Sequence, residues 1–288
     1  MSSPQIITFI HNALNQKLDE IESHFKSDMI YINGPISDDL LGVFLECVEE
    51  LIEDKNEEHD GKLLIMLTTT GGSAEVVERL VNICRAQYNE VNFLVPDYAY
   101  SAGTIFCMSG DSIYMDYSSV LGPIDPQVMN KDGKYVAALG YLDKMREFVE
   151  KSKDQQLSEA EFLMLREMDL AELRSFEQAV ELTTDLLKDW LVRYKFKNWD
   201  RHSDDTAVTE EDKVERAVEI AQKLADYKEW KTHGRPLNIE TLTNLKLKIE
   251  DYSDDDKLRP LIRDYYNYAQ QYMGLIGYGG FIHTRRHI

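Results

Sequence analysis

Hydrophobic and polar positions change period along this chain in a regular order. MIYINGPI (29–36) is a short apolar run closing on Gly34-Pro35 and predicts a strand, while SDDLLGVFLECVEELIED (37–54) puts its apolar residues on one helical face behind Ser37 as N-cap. EEHDGK (57–62) reads as a loop. LLIMLTTT (63–70) is a continuous apolar run of strand length, GGSAEVVERLVNICRAQ (71–87) opens a helix behind a glycine pair, and EVNFLVP (90–96) is a third strand. A second helix opens at Ser101, and SIYMD (112–116) is short and β-like.

Strands that are apolar without alternation, joined by helices, predict a mostly parallel sheet covered on both faces. In such sheets ligands sit beyond the carboxyl ends of the strands, where TTTGGS and YAYSAG both fall. From residue 139 the period is helical. Helices are predicted through 139–153, 157–196 and 213–230, with the polar stretch KNWDRHSDDTAVTEED as a break. KTHGRPLNIETLTNLKLKIEDY (231–252) reads as a turn, a short helix and an edge strand. The chain ends in a Tyr-rich amphipathic helix, read as a subunit interface, a glycine hinge, and HTRRHI as an exposed tail.

Composition narrows the function classes. With 288 residues, 43% of them hydrophobic, the chain can bury one large core with a helical appendage. Fifty-two acidic against thirty-two basic residues give a net charge of −20, which disfavours nucleic acid as a partner. Cys47, Cys84 and Cys107 lie in apolar helical patterns without metal-ligand spacing, as buried reduced thiols do, and favour a cytoplasmic setting. The N-terminal stretch is amphipathic (Ile7, Ile10, Leu14, Leu18, Ile21) but has neither a basic leader nor a membrane-length apolar run, so membrane association would be peripheral. No stretch carries nucleotide-binding or metal-binding spacing, so no cofactor and no metal are expected.

The chemistry concentrates at Ser101. A serine at a strand-to-helix turn exposes its hydroxyl at the top of the sheet, and Ala102 and Gly103 leave room for a carbonyl to approach. Gly71-Gly72 ends the preceding buried strand, so its amides can face the same crevice. Serine is also a favoured helix N-cap, and capping is the competing reading of the same residue.

TTTGGSAEVVERLVN followed by YAYSAGTIFCMSGDSIYMDYSSVLGPIDPQ resembles the core of the ClpP-type serine peptidases, above all the serine dehydrogenase proteinase family, related to signal peptide peptidase A. The likeness spans about residues 28–128 and, more loosely, 231–252. It implies an α/β fold of stacked ββα units of the ClpP/crotonase kind with a helical extension. It divides the chain into an N-terminal helix (1–27), a catalytic core (28–138 and 231–252), a helical arm (139–230) and a C-terminal helix and tail (253–288).

The resemblance makes Ser101 the nucleophile, with the oxyanion hole at the glycine pair Gly71 and Gly72 and at Ala102. The ClpP histidine position reads SSVLGPIDPQ, and no histidine lies between Ser101 and His202. The base is then His233, in the stretch resembling the ClpP segment that carries the triad aspartate. Alternatively it is a lysine, as in signal peptide peptidase A: Lys188, which matches a lysine expected in the family, or Lys144. Asp125, near the place of the ClpP histidine, orients the base or holds its loop. Expected partners are a polypeptide substrate, further copies of the chain docking through the arm, and an unfoldase or membrane protein that delivers substrate. Two rivals are an acyl-CoA enzyme of the crotonase type, for which no basic adenine groove is visible, and a non-catalytic oligomeric scaffold.

Overall fold

The computed structural model describes residues 4–288 apart from 55, 56, 60, 131, 132 and 278. Residues 1–3 of the expected N-terminal helix, Asp60 of the expected EEHDGK loop and Tyr278 of the Tyr-rich stretch therefore lie outside the described residues.

Helix α1 (Pro4–Phe25) leads to strand β1 (Asp28–Asn33), helix α2 (Asp38–Glu53), strand β2 (Lys62–Thr68), helix α3 (Ala74–Gln87) and strand β3 (Glu90–Val95). A two-residue strand β4 (Tyr98–Ala99) precedes helix α4 (Ala102–Met108), strand β5 (Ser112–Met115) and strand β6 (Val120–Leu121). Strands β7 (Gln127–Met129) and β8 (Tyr135–Ala137) form a hairpin. Helices α5 (Ala138–Lys153), α6 (Glu159–Arg166) and α7 (Leu170–Trp190) follow, and α7 runs into a π-turn over Leu191–Lys195. Helices α8 (Glu210–Ala225), α9 (Tyr227–Trp230) and α10 (Ile239–Asn244), strand β9 (Glu250–Asp251), helix α11 (Leu258–Ile276) and strand β10 (Phe281–His283) complete the chain.

Six strands form one sheet in the order β10-β1-β2-β3-β5-β9, parallel throughout except for β10. Two-faced burial explains the unbroken apolar runs. Ile30, Ile32, Leu63, Ile65, Leu67, Val91 and Phe93 point into the cluster covered by α2, α3, α4 and α7, while Met29, Tyr31, Leu64, Met66 and Leu94 point to the opposite cluster covered by α1 and α11. Each such side chain contributes roughly 1.5–3 kcal/mol by leaving water.

The structure corrects two readings of the C-terminal region. HTRRHI is not an exposed tail: Phe281–His283 pair antiparallel with β1, and His283 is fully buried. The Tyr-rich helix is not free for a second subunit on its aromatic face, because Tyr265, Tyr266 and Tyr272 pack into the intrachain core. Aromatic spacing in a helix does not distinguish an intrachain core from an interface. The helical stretch 139–230 is also anchored: Leu187, Trp190, Leu191, Ile220 and Leu224 belong to the main core. Helix α5, the first half of α7 and the β7–β8 hairpin, through Val128 and Val136, meet in a small separate cluster around Leu142 and Phe176.

Candidate active site

Beyond the carboxyl ends of β2 and β3 lies a cleft of about 890 Å³, lined among others by Gly71, Gly72, Ser101, Ala102, Gln127 and His233. Its far wall comes from α7 (Ala179, Leu182, Thr183) and from Val128 and Tyr135 of the hairpin.

Ser101 sits at the head of α4 with φ 55° and ψ −119°, a backbone conformation that a side chain rarely adopts. The strain is held from both sides. Gly103 N–H bonds Tyr100 C=O (2.9 Å) and Ile105 N–H bonds Ser101 C=O (3.2 Å), while Thr104 Oγ1 ties α4 to the Ala99 carbonyl and to Gly122. The Ser101 hydroxyl makes no capping bond to its helix, so the capping explanation of this serine does not describe it.

Gly71 and Gly72 have φ of 110° and 155°, and each lacks room for a side chain. A Cβ on Gly71 would stand 2.8 Å from the Ser101 Cβ, and one on Gly72 would overlap the Ile36 carbonyl. This crowding brings the glycine pair against the serine. The Gly71 amide is already used, donating to Thr69 Oγ1 at 3.0 Å, which removes it from the expected oxyanion set. The amides of Gly72 and Ala102 have no hydrogen-bond acceptor among the described residues.

His233 reaches the same cleft from a distant segment. Leu121 and Leu237 exchange two backbone hydrogen bonds (3.0 and 2.9 Å), clamping the 232–237 turn onto the strand that leads to Asp125. The His233 Nδ1 then meets Asp125 Oδ1 at 2.8 Å. Asp125 is nearly fully buried, with its side chain 4% exposed, whereas the histidine side chain is 28% exposed. With an ionised carboxylate as acceptor, Nδ1 carries the proton, and Nε2 takes no hydrogen bond among the described residues.

The lysine candidates lie elsewhere. Lys188 Nζ pairs with Asp185 on the same helix (3.2 Å), and Lys144 Nζ pairs with Glu147 (2.8 Å) beside a different, apolar cavity lined by Tyr141, Phe148, Leu163 and Met164. Neither lines the Ser101 cleft. An apolar helical window does not fix which way a long side chain turns. A lysine brought down by burial, to about 8, does exist in this stretch, but it is Lys195, which faces a third cavity with Asp111 and Glu250.

Sequence reading missed Gln127, whose side-chain amide donates to Asp125 Oδ2 at 2.8 Å, although it stands in the quoted LGPIDPQ. It also missed the β7–β8 hairpin, for which Gly133, at a φ of 74° and bonded to the Asn130 carbonyl, was an available turn signal.

Glu22, Asp28 and His59 converge at metal-ligand spacing on the opposite end of the sheet. There the Arg285 guanidinium already bonds both carboxylates, at 3.0 Å to Glu22 and 2.7 Å to Asp28.

An α/β sheet with a half-buried, cleft-lining serine on a strained strand-to-helix turn, beside unused amides and an acid-held imidazole, has the parts of an acyl-transfer site. The model of the ClpP-like SDH-type serine proteinases matches residues 45–211, and the chain belongs to that family. The matched span contains Ser101 and Asp125 but not His233. Over 185 residues the chain is 29% identical to the uncharacterized protein MJ1495 of Methanocaldococcus jannaschii, covering 64% of this chain and 51% of that one. Over 191 residues it is 28% identical to MJ0137 of the same organism, covering 66% and 54%. The chain thus spans about half the length of the curated relatives it matches.

Among solved structures, a membrane-bound stomatin-specific protease, a mutant in complex with a substrate peptide, is similar at a TM-score of 0.45 and 15% identity, covering 81% of this chain and 78% of that one. ClpP1 from Listeria monocytogenes is similar at a TM-score of 0.43 and 10% identity, covering 80% and 94%. Among the described residues, no helix is long and apolar enough to cross a membrane.

Proposed function

We propose that the chain is a serine peptidase that acts through a Ser101 acyl-enzyme, with His233 as general base and Asp125 as its orienting carboxylate. The observation that carries this reading is the 2.8 Å His233–Asp125 pair in the wall of the cleft that holds Ser101. Relative to the ClpP order, base and carboxylate have exchanged places. Asp125 stands where the histidine is expected and His233 where the aspartate is expected, and the pair remains chemically equivalent because only its geometry matters.

His233 Nε2 takes the proton as Ser101 Oγ bonds to the scissile carbonyl carbon. The amides of Gly72 and Ala102 receive the oxyanion, a contribution worth about 10²–10³ in rate per donor at comparable sites. The imidazolium then gives its proton to the departing amine, leaving the acyl ester. Water, deprotonated by the same nitrogen, attacks that ester and returns Ser101 to its free state. Asp125 stays ionised and holds the ring in the tautomer that this sequence needs.

Labelling with a fluorophosphonate probe tests the reading. Wild-type protein labels at Ser101 alone, Ser101→Ala abolishes the label, and His233→Ala slows it by about 10³-fold or more. Folded wild-type protein that stays unlabelled across roughly pH 6 to 10 overturns the peptidase reading and leaves a non-catalytic scaffold.

A further inference from the structure

Asp125 is buried with two carboxylate oxygens to satisfy, and His233 occupies one of them. The other accepts from Gln127 Nε2 at 2.8 Å. Gln127 is itself anchored at the root of the hairpin. It opens β7 opposite Ala137 of β8, and the carbonyl of the preceding Pro126 accepts from Ala138 N–H at 3.0 Å, where α5 begins. Further along the same hairpin, Val128 and Tyr135 line the substrate cleft.

We infer that Gln127 is a positioning residue: its side-chain amide fixes the plane of the Asp125 carboxylate and so ties the hairpin that walls the cleft to the general base. The inference rests on the peptidase reading. A carboxylate turns through a broad torsional well, so a second donor on Oδ2 is what keeps Oδ1 aimed at the His233 ring. The same donor draws charge density away from the face that meets the imidazole. Without it, the carboxylate concentrates its charge on His233 and stabilises the protonated ring, which moves the acid limb of the rate profile upward.

The test is the pH dependence of fluorophosphonate labelling and of kcat and KM on an unstructured peptide ester, for wild type, Gln127→Leu and Gln127→Glu. Gln127→Leu is expected to lower kcat roughly tenfold with KM within about twofold, and to shift the acid limb up by about half a pH unit. Gln127→Glu puts a second negative charge against the pair and shifts the limb further in the same direction. The two variants keep the inference testable if one of them disturbs the hairpin, since the displaced limb is read on whichever folds, as checked by circular dichroism. An unchanged profile in both, or a uniform loss at every pH without a shift, overturns the positioning role while active wild-type enzyme upholds the peptidase. An unlabelled wild type overturns both.

Discussion

Two buried aspartates of this protein hold a histidine by its Nδ1, Asp125 to His233 at 2.8 Å and Asp28 to His59 at 2.6 Å, at opposite ends of the sheet. The lower pair is enclosed: Tyr88 O–H donates to Asp28 Oδ2 at 2.8 Å, Arg285 bonds Asp28 and Glu22, and His59 is buried. Burial works against the Arg285 charge there, yet the bond to Asp28 and the charges of Glu22 and Asp28 outweigh it and raise its pKa. The upper pair has one amide on its carboxylate and a ring edge on a cleft that also holds a strained serine. Asp28 thus spends both carboxylate oxygens on His59, Tyr88 and Arg285 inside the core, whereas the His233 ring held by Asp125 lines a cleft, the place that the proposed role as base requires.

The strongest way to break this contrast is to make the same change at both ends. Asp125→Asn is expected to lower turnover by about 10³–10⁴-fold with little change in the urea midpoint, because tautomer and orientation are lost while packing stays. Asp28→Asn is expected to do the reverse, costing about 1–3 kcal/mol in urea unfolding by removing the buried charge that His59, Tyr88 and Arg285 share while Glu22 stays on Arg285, with activity per folded molecule unchanged. Equal stability losses from the two substitutions would erase the distinction.

A third histidine sharpens it. The His283 Nδ1 accepts from Tyr265 O–H (2.7 Å) and its Nε2 donates to Asn15 Oδ1 (2.9 Å), so the neutral ring is fully used. Burial, reinforced by the charges of His11 and His287, pushes its pKa down to about 3. The unfolded chain binds this proton at an ordinary value near ~6.5, so its contribution to stability is whole above that pH and is lost as pH falls toward 3. Thermal unfolding should show a wild-type midpoint falling below about pH 6.5, with a flatter slope in His283→Gln. The smallest effect is expected from Lys188→Ala and Lys144→Ala, whose exposed pairs are worth about 0–1 kcal/mol and whose labelling rates should stay within about twofold of wild type. A large loss in either would return a lysine to the base position.

What was legible in the sequence follows from range. The alternation of apolar strands and helices, and the meeting of Gly71-Gly72 with Ser101 across neighbouring strands, depend on local periods and on the parallel pairing those periods imply. The approach of His233 to Asp125 depends on the Leu121–Leu237 clamp, which no local pattern announces. A match to a family lysine points to Lys188, but the direction of its flexible side chain is set by its neighbour Asp185. HTRRHI looked like a tail because it is short and polar. Its burial comes from Tyr265, Asn15 and the carboxylates that receive Arg285, all far away in sequence.

Strand β1 is drawn from residues 28–33 and its outer neighbour from residues 281–283. A loop spanning most of the chain must close before that edge is covered, and closures of this kind come late and slowly. Until then the five parallel strands present β1 as an open, apolar margin. In the folded chain β10 occupies that margin, so the backbone groups of β1 are not offered to the same edge of a second chain.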